Sequence, residues 1–302
     1  MTVSTRQPKN SEIPDLHHIW KTVFGDSDQD IDEFFKIYFD PKMTVVADTG
    51  AGPAASGYIF PVGNICVEGV CVPCAMIYAV ATLSEYRSHG LGKAVVNELI
   101  SIGHAVGFSA VVLHPSEDSL FEYYSARTPL LDWFYVNELM ISKRILFSEK
   151  KAELTQVTPT EYILLRKNLL SGIPHIELDL RALLYQDLLC RKYGGGLYQA
   201  KTSNGSACAI VEKQSDGVVS IKELLTSRIN ETEVLSAVAA EYPASGYLVR
   251  SPSPLSSSPP GKRRFGMLTL DSRIIEKDHP VFSTKQFNSS RTNAPYYGPA
   301  FD

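Results

Sequence analysis

Apolar positions in the first half of the chain switch between two spacings. Over residues 11–24, Ile13, Leu16, Ile19, Trp20 and Val23 recur at three- and four-residue steps, which predicts an amphipathic helix capped by Ser11 and stopped by Gly25. Ile31, Phe34, Phe35 and Tyr38 do the same over 30–39, a second helix capped by the acidic run before it. Residues 44–47, 54–62, 64–72 and 75–82 read as strands joined by turns of Gly, Asp and Pro. A helix over 93–105 follows, with Leu91, Val95, Leu99 and Ile102 marking one face. Strand 108–113, a turn passing into a short helix over 115–124, and strand 133–147 complete this half.

The second half repeats the order. Helices are predicted over 158–170 and 178–192, then strands 197–202, 207–213 and 218–225 with turns at Asn204-Gly205 and Asp216-Gly217, then helix 231–242 and strand 246–250. Two domains are therefore expected, 1–148 and 149–302. Gly194-Gly195-Gly196 follows a helix and reads as its stop. PSPLSSSPP, 252–260, reads as a mobile loop, and the tail from Arg273 ends in the apolar stretch PYYGPAFD.

The stretch that carries chemistry joins strand 75–82 to helix 93–105. The first turn of such a helix has backbone N–H groups without intrahelical partners and the positive end of the macrodipole, so it suits a phosphate. Gly90 and Gly92 keep β-carbons away from those amides, and Arg87 and Lys93 add positive charge. The P-loop spacing GxxxxGK[ST] and the dinucleotide fingerprint GxGxxG are both absent. What is present is R-x-x-G-x-G, Arg87-Ser88-His89-Gly90-Leu91-Gly92. This resembles the pyrophosphate-binding motif of the GNAT superfamily of CoA-dependent N-acyltransferases.

Composition narrows the field. The chain has 302 residues, 44% hydrophobic and 21% charged, which suits a globular protein large enough for two domains. A net charge of −4, with no basic run beyond Lys262-Arg263-Arg264, argues against a nucleic-acid partner. No apolar stretch approaches the ~20 residues of a membrane span, so a cytoplasmic protein without a membrane partner is expected. Cys66, Cys71, Cys74, Cys190 and Cys208 are an odd number scattered over apolar runs, read as buried reduced thiols. Cys71-Val72-Pro73-Cys74 is formally CxxC, but no second CxxC or HxxxH accompanies it, so neither a metal nor a redox role is expected.

Order and a second motif extend the resemblance. IYAVATLSEYRSHGLG is similar to the strand-to-helix motif of many bacterial GNAT enzymes, and PSEDSLFEYYSART to their later LF-x-[FY]-Y-x-x-x-G-[FY] segment, with Thr128-Pro129 in place of Gly-Phe. The resemblance implies an α/β (α+β) fold with a mixed, mostly antiparallel sheet flanked by helices, followed by a degenerate GNAT-like domain. That second half has no glycine in TSRINETE, between strand 218–225 and helix 231–242, and is not expected to bind CoA. In the first half the resemblance implies that the backbone of Val80, Ala81 and Thr82 pairs with pantetheine. Arg87, Ser88, His89, Gly90, Leu91, Gly92 and Lys93 would hold the pyrophosphate of acetyl-CoA, the co-substrate. Tyr124 falls on the tyrosine that points at the CoA sulfur.

Acyl transfer to an amine adds a requirement. An amine of pKa about 10.4 must lose its proton, at a cost of about 4 to 5 kcal/mol at pH 7. Candidate acceptors are Glu138, His114, Glu117 and the terminal carboxylate of Asp302. Asp302 ends an apolar tail, and the chain is similar to the larger aminoglycoside acetyltransferases of the enhanced-intracellular-survival type, which place the chain terminus in the site. Their third, sterol-carrier-like domain does not fit in this length. Tyr124 would protonate the departing thiolate, with Tyr123 as its neighbour in sequence. The acceptor is expected to be a small-molecule or peptide amine. A non-catalytic acyl-CoA sensor on the same scaffold is the alternative.

Overall fold

In the computed structural model, residues 4–142, 152–227, 229–255, 262–273, 282 and 295–302 are described. The elements in chain order are β1 (Ser4–Arg6), α1 (Ile13–Phe24), α2 (Asp28–Tyr38), β2 (Thr44–Asp48), β3 (Pro53–Val67), β4 (Val70–Thr82), α3 (Leu91–Ala105), β5 (Ala110–Leu113), α4 (Asp118–Ser125), β6 (Leu131–Ser142), β7 (Glu153–Gln156), α5 (Pro159–Leu169), β8 (His175–Leu178), α6 (Leu180–Lys192), β9 (Gly196–Thr202), β10 (Gly205–Lys213), β11 (Val218–Leu225), α7 (Glu231–Glu241), β12 (Gly246–Ser251) and β13 (Arg263–Leu270). They form a mixed α/β fold with a mostly antiparallel sheet flanked by helices. The end of the strand predicted over 133–147, most of the 252–260 loop and the tail between 274 and 294, Phe282 apart, lie outside the described residues. No helix of the described residues is long and apolar enough to cross a membrane.

Two compact units result. One comprises Met1–Val62, Val72–Asp132 and Gly266–Ser283, the other Gly63–Cys71, Trp133–Phe265 and Thr284–Asp302. The first unit orders its strands β1, β2, β3, β4, β5 and the 266–270 part of β13. β4 and β5 are parallel, and β13 runs antiparallel to β5 from Met267 to Leu270. Val45, Ala55, Ile59, Ala75 and Ile77 meet Val95 and Leu99 of α3 and Phe121 of α4 in one core. Each large side chain buried there contributes about 1.5–3 kcal/mol. The helix lies directly on the sheet because two glycines leave it room. A Cβ on Gly57 would stand 2.8 Å from Val95 Cγ1, and one on Gly103 2.7 Å from Ile59 Cδ1.

The second unit orders β6, β12, β11, β10, β9 and β7, with β11 and β12 parallel and the other pairs antiparallel. Its core gathers Val211, Ile221, Val234, Val238, Tyr247 and Val249. The far end of β3 belongs here too, pairing Gly63–Cys66 with Leu178–His175 of β8. The C-terminal tail is anchored by a buried pair: Arg166 Nε donates to Glu223 (3.1 Å) and its Nη2 to the Tyr297 carbonyl (3.3 Å), while Tyr162 donates to Glu223 (2.9 Å).

Several expectations are corrected. Ser11 does not cap α1; residues 10–12 form a 3-10 turn, and Arg6 takes Glu12 into a paired contact (2.7 and 2.8 Å) that also reaches Asp48. β1, β7, β8 and β13 were not anticipated, since three- and four-residue strands carry too little periodicity and β13 opens on Arg263-Arg264. The cysteines are not all reduced. Cys66 and Cys71 form a disulfide across the Glu68-Gly69 turn, whose two residues have positive φ (49° and 83°), and Cys71 is exposed. Cys74, the other half of the CxxC, is a buried free thiol, as are Cys190 and Cys208. Gly194 does end α6, its N–H reaching Arg191 O at 3.0 Å.

Candidate active site

Strand β4 runs on past the end of its neighbour β5. It pairs with β5 from Cys74–Ala110 to Ile77–Leu113, and there the ladder ends. Ala79 then takes a left-handed φ of 47°, costly for a residue with a Cβ. Tyr78, Ala79 and Val80 are half-buried, and the Ala81 side chain is packed inside. A strand edge released in this way can accept an extended ligand by main-chain hydrogen bonds.

The turn that follows is built by two more left-handed residues, Ser88 (φ 66°) and Gly90 (φ 83°). Gly90 is needed for its conformation rather than for space, since a Cβ there would meet nothing within 4 Å. This refines the expectation that both glycines act by clearing room. Gly92 is the one that faces other groups: a Cβ on it would stand 3.5 Å from the Tyr123 hydroxyl and 3.7 Å from Thr82 Oγ1. No side chain caps α3, and the helical ladder begins with Ala94 N–H to Gly90 O at 3.0 Å, so the amides of Leu91, Gly92 and Lys93 point out of the helix start. Leu91 is buried and pins that first turn to the core. Arg87 folds back, its Nε donating to Thr82 O at 3.2 Å, and His89 Nδ1 donates to Arg87 O at 2.8 Å. Lys93 is exposed beside them.

Tyr124 lies on α4, buried in the core of the same unit, its ring edge-on to Tyr123 at 5.2 Å. Burial, and Tyr123 beside it, push its phenol above the ordinary range and keep it protonated. Thr128, where the family pattern has Gly, closes α4 with its side chain: Oγ1 donates to Tyr124 O at 2.8 Å. Its N–H reaches the same carbonyl at 2.9 Å. Arg127 lies over the Tyr123 ring at 4.7 Å. Sequence reasoning treated Tyr123 only as a neighbour; the hydroxyl facing Gly92 has no signature in one dimension.

The candidate bases separate. Glu117 precedes α4 and accepts from Ser119 Oγ at 3.2 Å. His114 is half-buried past the end of β5. Glu138 and Asp302 come together in the second unit on one buried guanidinium: Arg250 donates to Glu138 Oε2 at 2.6 Å and to Asp302 Oδ2 at 2.5 Å. Arg263 holds the other Glu138 oxygen at 3.1 Å. Arg250 was missed, although an arginine inside the apolar run GYLVRS was a signal of a buried partner.

Residues 4–127 match the model of the acetyltransferase (GNAT) domain. This first part of the chain, less than half of it, is thus similar to the GNAT acetyltransferase domain. The fold is similar to that of a GCN5-related N-acetyltransferase from Anabaena variabilis, at a TM-score of 0.68 and 16% identity over 89% of this chain and 73% of that one. A GCN5-related N-acetyltransferase from Kribbella flavida gives 0.63 and 14% over 89% and 72%, and Eis1 from Mycobacterium abscessus 0.57 and 10% over 89% and 73%. At such identities the likeness is one of fold, and it runs well past residue 127. No curated protein matches the sequence.

Proposed function

We propose that this GNAT protein is an N-acetyltransferase that moves an acetyl group from acetyl-CoA to a primary amine of a small molecule or peptide, by direct attack in a ternary complex in the cytoplasm. The observation that carries the reading is the continuous polar edge from the end of β4 through Ser88 and Gly90 to the uncapped start of α3. In this reading Val80, Ala81 and Thr82 offer backbone to pantetheine, and residues 87–93 hold the pyrophosphate through amides, Arg87 and Lys93. Gly92 fits that role because it lies beside Thr82 and Tyr123, where a bare backbone leaves the amides open to a ligand. Acetyl-CoA supplies the activated acyl carbon. Tyr124, kept protonated by burial, donates to the leaving sulfur, and the terminal carboxylate of Asp302 takes the amine proton. The second half, by the same reading a degenerate GNAT-like domain, binds no CoA.

The burial of Tyr124 favours a second reading, an acyl-CoA sensor that binds without turnover. Titration calorimetry with acetyl-CoA and CoA, followed by a free-CoA release assay over an amine panel, separates the two. Binding with amine-dependent release supports the enzyme, binding without release the sensor, and no binding removes both.

A further inference from the structure

We infer that Cys66, Cys71 and Glu177, once the disulfide is reduced, form a binding site for a thiophilic divalent cation of the zinc class. The inference is independent of the acyltransferase reading and rests on groups of the second unit alone.

The three donors already converge. Their ligand atoms lie within 4.8 Å of one another, and Glu177 Oε2 stands 3.4 Å from Cys66 Sγ and 3.9 Å from Cys71 Sγ. A tetrahedral ion with bonds of about 2.3 Å to sulfur and about 2.1 Å to oxygen requires S···O separations of about 3.6 Å and an S···S separation of about 3.8 Å. The carboxylate is therefore in place, and only the sulfurs have to part. A disulfide sulfur offers Oε2 no proton to accept, so a carboxylate aimed at it gains nothing in the oxidised form. A shared cation, or two thiols, would account for the approach.

The scaffold keeps the donors there. Cys66 and Glu177 sit on adjacent paired strands, with Cys66 opposite His175 and Glu177 opposite Asn64, which puts both side chains on one face of the sheet. Lys167 on α5 holds the other carboxylate oxygen at 2.9 Å. Two thiolates and a carboxylate carry three negative charges, which a divalent ion and Lys167 together balance. A shallow cleft lined in part by Lys167, His175 and Glu177 opens beside the carboxylate, and a water as fourth ligand would complete the tetrahedron. Thiolate ligands select zinc-like ions over magnesium or calcium.

Reduction is the gate. Cys71 is exposed, and exposed disulfides are the reducible class. Two equivalents of a small thiol become its disulfide as the Cys66–Cys71 bond takes up two electrons and two protons. Cation binding then releases both thiol protons.

Cobalt(II) is the probe, because thiolate ligation gives a sulfur-to-cobalt charge-transfer band. The full chain, reduced with a phosphine and desalted without oxygen, is expected to bind one Co²⁺ with that band, and zinc is expected to displace it. The oxidised chain should show neither. Cys71→Ser, at an exposed position that the fold tolerates, should weaken binding on the order of 100-fold, and Glu177→Gln about tenfold or more. The inference is overturned if the reduced wild type shows no thiolate band, or if the band survives undiminished in Cys71→Ser and Cys66→Ser, which would assign it to Cys74, Cys190 or Cys208.

Discussion

The two units contain the same crossover with opposite chemistry at its start. In the first, β4 passes through α3 to parallel β5 and pairs with it over Cys74–Ile77; in the second, β11 passes through α7 to parallel β12 and pairs over Val218–Ile221. A helix joining neighbouring parallel strands is what both halves need to cover a sheet face. Beyond that the two differ. α3 begins after left-handed Ser88 and Gly90 with no acidic residue in its first turn and Lys93 beside it, whereas α7 begins at right-handed Asn230 with Glu231 and Glu233. Glu231 is buried, and the Glu233 oxygens accept from Ser203 N (3.0 Å) and Oγ (2.6 Å), so two acidic side chains occupy this helix start. The end of β11 is buried where the end of β4 is half-open. Topology is thus shared, and the chemistry at the helix start is local: three or four residues decide whether acidic side chains stand there.

The largest effect that would test this contrast is Gly90→Val. A β-branched side chain cannot adopt φ 83° without strain, so calorimetric CoA stoichiometry should fall from one per chain to none. Gly90→Asn, which tolerates that conformation, should retain binding. Residual CoA stoichiometry near one in the valine variant would place the site in the second unit and reverse the comparison.

Next in size is Tyr124→Phe, expected to lower kcat by roughly 10² with little change in KM for acetyl-CoA. Because burial raises this phenol's pKa, the protonated donor persists above the ordinary value of about 10, and wild-type kcat should not fall on its account up to that pH. Tyr123→Phe, by contrast, should raise KM for the cofactor and leave kcat nearly unchanged; the reverse pattern would exchange their roles. A smaller effect, roughly tenfold in kcat, is expected from one glycine added after Asp302. That extension keeps the side chain on Arg250 and displaces only the terminal carboxylate, and an unaltered rate would remove Asp302 as base.

The smallest effect concerns anchoring of the first unit. Hydrogen bonds from Arg6 pull the Glu12 carboxyl down to about 2. A depressed carboxyl stabilises the fold fully above its ordinary range and loses that contribution as pH falls from about 4.5 toward 2. Urea midpoints between pH 5 and 2 should fall less steeply in Glu12→Gln than in the wild type, and parallel slopes would show the pair to be idle.

Much was legible in one dimension because it is local. The three- and four-residue apolar steps of α1, α2 and α3 give each helix a face to bury whatever its partner. The strand, glycine turn and helix around Arg87-Ser88-His89-Gly90-Leu91-Gly92 need only neighbours in the chain. Those patterns by themselves determined the element order, β1, β7, β8 and β13 apart, and the glycine turn before α3 that α7 lacks. What only the tertiary structure decided are pairings that the chain leaves open: Cys66 with Cys71 rather than Cys71 with Cys74, β8 beside the far end of β3, and Glu138 and Asp302 on Arg250. Such contacts depend on which segments the fold brings together. A buried guanidinium or a strand edge acquires its meaning only when the surrounding packing has chosen its partner.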